Sequence, residues 1–228
     1  MFLAQAPYIY TSKKTLMKPH KVFYLLAAVA ALIYGCKKKE PDNSYYNLEE
    51  AKAYTYFKTG TYWIYQDSIS GVEDCVFVTD NLLTKDTSEG KIYDYYFTET
   101  YNTYNNTKNT YWMHQSWAIQ YKDIPVWRTT KRPNESVTQT NLLVYPFVVN
   151  KTYYPYTNVG YIMLKEIISI GNFSGSSFNN IVKFYDSGNS TDYGSETNYY
   201  IARNIGIIRK EIIDSVQVWN ISRYNIVQ

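Results

Sequence analysis

What most constrains the fold of this chain is a rhythm in its second part: short runs of aromatic and β-branched residues, each soon ended by Gly, Asn, Asp, Ser or Pro. Such residues fit a pleated, half-buried surface, and the punctuating residues are turn formers. Thr61–Ser70 alternates, with Tyr62, Ile64 and Ser68 on one face and Trp63 and Tyr65 on the other. Ser70-Gly71 then turns the chain into Asp74–Thr79, which predicts a hairpin. Further strands are expected at Ile92–Tyr101, Thr110–Tyr121, Ile124–Thr130, Thr140–Phe147, Gly160–Ile170, Asn180–Tyr185, Thr197–Arg203, Gly206–Ile213 and Val216–Ile226. Polar stretches at Thr84–Gly90, Asn102–Asn109, Lys131–Ser136, Gly171–Ser177 and Asp186–Asp192 predict the turns between them. Gly160–Ile170, the most apolar run, is expected to be central. Pro146 and Pro155 make Tyr145–Tyr156 an edge or an irregular crossing. Asn47–Ala53 is the one expected helix, with Asn47 as its cap and Glu49 and Glu50 in its first turn. Of 27 tyrosines, 23 follow residue 36, which deepens the β bias. The expected fold is therefore mainly β with minimal helix. It is a single antiparallel meander over residues 47–228, closing or half-closing into a barrel, lipocalin-like or lipoprotein-carrier-like.

The first part of the chain has a different character. Val22–Ile33 is a run of twelve residues, apolar apart from the Tyr24 hydroxyl. A spanning helix needs about 20. The run matches the apolar core of an export signal, with Lys13, Lys14, Lys18 and Lys21 ahead of it and no acidic residue before Glu40. Met17 begins a segment of ordinary signal length. Ile33-Tyr34-Gly35-Cys36 resembles the lipobox, which ends at a cysteine that becomes lipidated, although Tyr34 is bulkier than the usual occupant. The resemblance implies a signal peptide over 1–35, acylation of Cys36 (palmitate-type chains) and a lipid-anchored mature chain. Each buried methylene of such a chain contributes about 0.8 kcal/mol of membrane affinity. The polar KKKEPDNS that follows reads as a tether over 36–46. The expected location is the cell envelope, at the outer membrane, on either its periplasmic or its surface face.

Four of the 23 basic residues and none of the 20 acidic ones lie in 1–35, leaving 19 against 20 and a net charge of −1 in place of +3. The basic balance belongs to the signal, so composition gives no case for nucleic acid as a partner. With Cys36 acylated, Cys75 has no intramolecular partner. Its run Cys75-Val76-Phe77-Val78 predicts a small buried residue.

Two motifs carry a family resemblance. Phe57-Lys58-Thr59-Gly60-Thr61-Tyr62-Trp63-Ile64-Tyr65 resembles the F-x-x-G-x-Y-W-x-Y opening of Bacteroidota lipoproteins, here without their usual proline before the glycine. Ala202–Glu211 resembles their closing K-G-I-G-x-x-R-K-E strand. The resemblance implies an envelope lipoprotein and carries no assigned chemistry. Read from the residues, Gly60 and Gly206 are expected where the backbone needs positive φ or a close approach, with Arg209 and Glu211 on one side of their strand.

No catalytic set is nominated. His114 is the one histidine after the signal, so neither a zinc site nor a Ser-His-Asp arrangement is visible, and no cofactor is expected. Asp186–Asp192 lacks the ligand spacing of a calcium loop. Asp67-Ser68-Ile69 and Asp214-Ser215-Val216 resemble the acceptor used in Bacteroidota protein O-glycosylation, which makes Ser68 and Ser215 candidate glycosylation sites. Tyr111, Trp112, Trp117 and Trp127 form a candidate aromatic binding patch. The expected role is non-enzymatic binding of a ligand, glycan, lipid or envelope-protein partner. A structural subunit of an envelope complex is the alternative, and a carboxylate-based hydrolase a third.

Overall fold

The computed structural model describes residues 48–88, 91–104, 107–113, 124–131, 138–154, 160–188 and 195–228. One short helix, α1 (Leu48–Thr55), precedes twelve strands: β1 (Tyr62–Asp67), β2 (Glu73–Ser88), β3 (Lys91–Asn102), β4 (Thr107–Met113), β5 (Ile124–Lys131), β6 (Thr138–Tyr145), β7 (Thr152–Tyr153), β8 (Ile162–Phe173), β9 (Ser176–Asp186), β10 (Thr197–Ala202), β11 (Gly206–Ile212) and β12 (Gln217–Asn225). All belong to one antiparallel sheet in the order β6-β5-β4-β3-β2-β1-β12-β11-β10-β9-β8-β7. Chain neighbours are sheet neighbours except β6 and β7, which lie at the two edges, and β12 returns to pair with β1. This is the expected meander, and among the described residues no ladder joins β6 to β7, so it is a half-barrel.

Curvature comes from β-bulges, which add local twist. The register shifts between Ile64 and Tyr65, Val78 and Asp80, Val126 and Trp127, Leu164 and Glu166, and Tyr200 and Ile201. The curl brings Leu142, Leu143 and Val144 of β6 into one buried cluster with Ile162 and Leu164 of β8 and Phe184 of β9. Helix α1 packs against β5 and β6. Its buried Ala51 and Tyr54 join the same cluster, and Ala53 O accepts from Asn204 N in the β10–β11 turn at 2.6 Å. Glu49 and Glu50 sit in its first turn and Lys52 in its last, each placed to favour the helix dipole. The predicted cap, Asn47, lies outside the described residues.

A second cluster holds Phe57, Trp63, Tyr65, Val76, Val78, Ile208, Trp219 and Ile221. Trp63 and Tyr65 anchor β1 by donating to the carbonyls of Ile205 (2.5 Å) and Ile207 (2.7 Å). Gly60 and Gly206 both have positive φ, as expected, at 99° and 92°. At Gly206 a Cβ would stand 3.2 Å from Phe57 and 3.4 Å from Trp63, so the two family-like motifs meet in space.

Four expectations are corrected. Gly160–Ile170 is not central: its strand β8 pairs with β9 along its length but with β7 only at Ile162 and Met163. Its apolar residues reflect an open edge as much as a core, since Ile167 and Ile170 are exposed. Thr84–Gly90 is not a loop from its first residue, because β2 continues to Ser88. Its polar residues pair across to β3, down to Ser88 opposite Lys91. Gly171–Ser177 contracts to the two-residue turn Ser174-Gly175, with φ of 50° and 80°, the hand that suits a tight hairpin. Cys75 is half-buried rather than core, because Asp74, Val76 and Val78 take the inner face of β2.

Candidate functional site

Register alone aligns a row of side chains on the inner face of one end of the sheet. Phe184 of β9 lies opposite Tyr199 of β10, Tyr199 opposite Lys210 of β11, Lys210 opposite Trp219 of β12, and Trp219 opposite Asp67 of β1. Directly opposed residues in an antiparallel sheet share a face. One strand over, Asp74 of β2 lies opposite Tyr65 of β1. These residues surround a recess of about 420 Å3, measured out to its open mouth, lined by Asp74, Tyr104, Thr197, Tyr199, Lys210, Ile212, Gln217 and Trp219. A second, more apolar recess of about 320 Å3 lies under α1, between Tyr54, Phe57, Trp63, Tyr65 and Leu142.

The first recess has unusual electrostatics. Lys210 stands on the face shared with buried Ile208, where a lysine is out of keeping with its neighbours. Its Nζ lies 5.0 Å from the centroid of the Tyr65 ring and 5.6 Å from that of Trp219. Among the described residues it makes no hydrogen bond or ion pair. Burial pulls its pKa below the ordinary lysine value, the nearby Asp74 opposes the shift, and Arg128 adds to it. Asp74 is buried. Its Oδ1 accepts from Tyr104 N at 3.0 Å and, at 3.5 Å, from Thr103 Oγ1, while Oδ2 accepts from none of the described residues.

Arg128, from β5, braces this end across the interior. Its Nη1 donates to Tyr199 Oη at 2.6 Å, and Nη2 lies 3.7 Å from Asp186 Oδ2. Both members of the ion pair are buried, and Asp186 Oδ1 also accepts from Gly188 N. The pair therefore ties the β5 side of the half-barrel to β9 and β10. Tyr104, half exposed at the mouth, packs edge-on to Trp219 at 4.9 Å.

The opposite face carries a separate polar row. Lys183, Tyr200, Arg209, Asn220 and Gln66 are successive cross-strand partners. Arg209 and Glu211, expected on one side of β11, pair with each other at 2.8 Å. Tyr200 Oη and Asn198 Nδ2 donate to the same carboxylate, and Arg209 Nη1 donates to Asn220 Oδ1.

Of the candidate residues, Cys36 and Trp117 lie outside the described residues. The backbone register places Tyr111 opposite Arg128 and Trp112 opposite Trp127, so the Trp112 and Trp127 positions share one face of the sheet and the Tyr111 position falls on the other. Ser68 and Ser215 are both exposed, in the β1–β2 and β11–β12 turns. The Asp67 carboxylate before Ser68 is occupied structurally, accepting from Ser70 N, Ser70 Oγ and Val218 N. Burial raises its pKa, but these hydrogen bonds outweigh burial and hold it below the usual carboxylate value. Burial, then Asp74, pushes the Cys75 thiol up, which disfavours a nucleophilic thiolate. Among the described residues no His, Cys, Asp or Glu group is arranged to hold a metal, and no helix is long and apolar enough to cross a membrane. Comparison of the chain with protein-family models, with curated proteins and with solved structures finds no match.

Proposed function

We propose that the chain is an exported, lipid-anchored envelope protein whose half-barrel binds a small ligand and does not transform it. The observation that carries the binding role is the Lys210–Asp74 recess. Among the described residues its ammonium and carboxylate both have unused hydrogen-bonding capacity, in a concave recess walled in part by Tyr104, Tyr199 and Trp219. Polar groups kept short of partners inside a sheet cost stability, and a ligand that satisfies them offsets the cost. Among the described residues the recess lining contains one acid, Asp74, which gives no support to a carboxylate-pair hydrolase at this site.

Anchoring rests on Lys21–Cys36 and its likeness to a lipobox. Expression of the full chain in a bacterial host, with membrane fractionation and intact-mass measurement, tests it. The expected result is a membrane-bound product carrying acyl chains on Cys36, and a Cys36→Ser variant that is either released or left unprocessed. Unchanged attachment and acylation in that variant would sink the anchor. Binding is tested by a fragment screen on the same protein, followed by nuclear magnetic resonance. Hits that shift the indole signal of Trp219 and are lost in Lys210→Met support the reading.

An assembly subunit is the second reading, and one observation favours it. Along β8 beyond Met163 no described strand pairs with the outer edge, and exposed Ile167 and Ile170 accompany that edge. Open strand edges template pairing with other chains. Monodisperse monomer at high concentration, with no partner retained on membrane extraction, counts against it.

A further inference from the structure

The chemistry of the recess narrows its ligand. Resting on the binding role proposed above, we infer that the Lys210 recess takes a neutral sugar ring, such as the terminal residue of a glycan, through hydroxyls bridging Lys210 and Asp74.

Apolar and singly charged ligands each leave a charge unsatisfied. An acyl chain or other apolar ligand would seal the ammonium and the carboxylate from water without supplying a partner to either, which is costly for buried charges. A carboxylate or phosphate would suit Lys210 but would face Asp74 across the same recess, and a cationic ligand would meet the reverse conflict. A hydroxyl is the neutral group that accepts from an ammonium and donates to a carboxylate at once. Adjacent ring hydroxyls present that pair of roles repeatedly. Among the described residues, Asp74 Oδ2 supplies an acceptor with no competing donor, and Lys210 Nζ supplies donors with no competing acceptor. Gln217 and Thr197 add amide and hydroxyl groups to the lining, and Thr197 Oγ1 donates to Ser195 O at 3.2 Å, so it is left to accept. Tyr104, half exposed at the mouth, offers a ring face to the C–H side of a sugar.

The geometry also fixes what holds the recess ready. Tyr104 N and Thr103 Oγ1 orient Asp74 from the β3–β4 turn, and Arg128 fixes the Tyr199 hydroxyl from β5. The polar groups belong to strands and braced turns, which suits weak, rapidly exchanging recognition of a preformed ring.

The test uses the detergent-solubilised full chain and saturation-transfer difference spectra with methyl glycosides of glucose, galactose, mannose and N-acetylglucosamine, alongside methyl glucuronide and a short alkyl glycol. At least one neutral glycoside is expected to bind at least tenfold more tightly than the glucuronide. Lys210→Met and Gln217→Ala are expected to weaken it, the former at least tenfold. Asp74→Asn is expected to erase discrimination against the glucuronide, with near-ultraviolet circular dichroism confirming that each variant is folded. Equal or tighter binding of the glucuronide overturns the inference. If no glycoside binds while other fragments engage the recess, the sugar assignment fails and the binding role stands. If nothing engages the recess, both fail.

Discussion

Replacing Lys210 with methionine separates a residue kept for the fold from one kept for a ligand. Methionine preserves the length and apolar stem of lysine and removes only the ammonium. Two cation–π contacts, at 5.0 and 5.6 Å, are lost, worth about 0.5–1 kcal/mol each at a partly exposed site. The thioether regains about 0.3–1.5 kcal/mol against an aromatic ring. Desolvation of the ammonium disappears as well, and it is the larger influence, because burial outweighs the attraction of Asp74 in setting the direction of the Lys210 shift. The variant should therefore be as stable as the parent or up to about 1 kcal/mol more stable at pH 7. A lysine whose folded pKa is lowered binds its proton more weakly in the folded state. Between that lowered value and the unfolded value of about 10.4, its contribution to stability consequently rises with pH. The advantage of the variant should shrink as pH rises from 7 toward the unfolded value of about 10.4. Urea unfolding of the mature chain across this range, read by near-ultraviolet circular dichroism, measures this. A loss exceeding about 2 kcal/mol at pH 7, or an advantage that grows with pH, would refute the reasoning and make Lys210 a structural residue.

Gly206→Ala should destabilise by about 1–3 kcal/mol, since it combines φ of 92° with a Cβ 3.2 Å from Phe57; a neutral result in urea unfolding would contradict the packing of the two motifs. Arg128→Leu leaves Asp186 buried without this cation and should cost about 3–5 kcal/mol, whereas Arg128→Leu with Asp186→Asn should recover part of the loss, a pattern that a double-mutant cycle resolves. Burial pushes Tyr54 up to about 12 and raises Tyr96 as well. Raised folded values mean stability is complete below the unfolded tyrosine pKa of about 10 and is lost as pH climbs through the folded values. Alkaline unfolding should accordingly begin above about pH 10, and Tyr96→Phe should soften that dependence while losing the 2.7 Å hydrogen bond with Thr55.

The legible part of the fold is the part set by local chemistry. Alternation in Thr61–Ser70 put Trp63 and Tyr65 on one shared face, and that face is the buried one. Gly60 and Gly206 announced positive φ because they interrupt otherwise bulky runs. Gly160–Ile170 misled because apolar content cannot distinguish a strand covered on both sides from one at an edge. The strand boundary at Thr84 misled because polar residues in a long two-stranded ribbon are held by cross-strand pairing, which composition does not report. The recess itself left one trace. If Arg209 and Glu211 share a face, then Lys210 must share the other with Ile208 and Ile212, and a lysine in that row is a polar group aimed at the core. Asp74 and Trp219 could not be joined to it, since their meeting depends on β12 returning beside β1 across more than half of the chain.

The most direct test of the central claim is nuclear magnetic resonance of the full chain labelled with 13C and 15N at lysine, recorded with and without the neutral methyl glycosides. The account predicts that the Lys210 side-chain resonance moves saturably with the glycoside, while that of Lys183, on the opposite face over the Tyr200 ring, stays fixed. A Lys210 resonance unmoved at saturating glycoside, or shifted no more than that of Lys183, would contradict it.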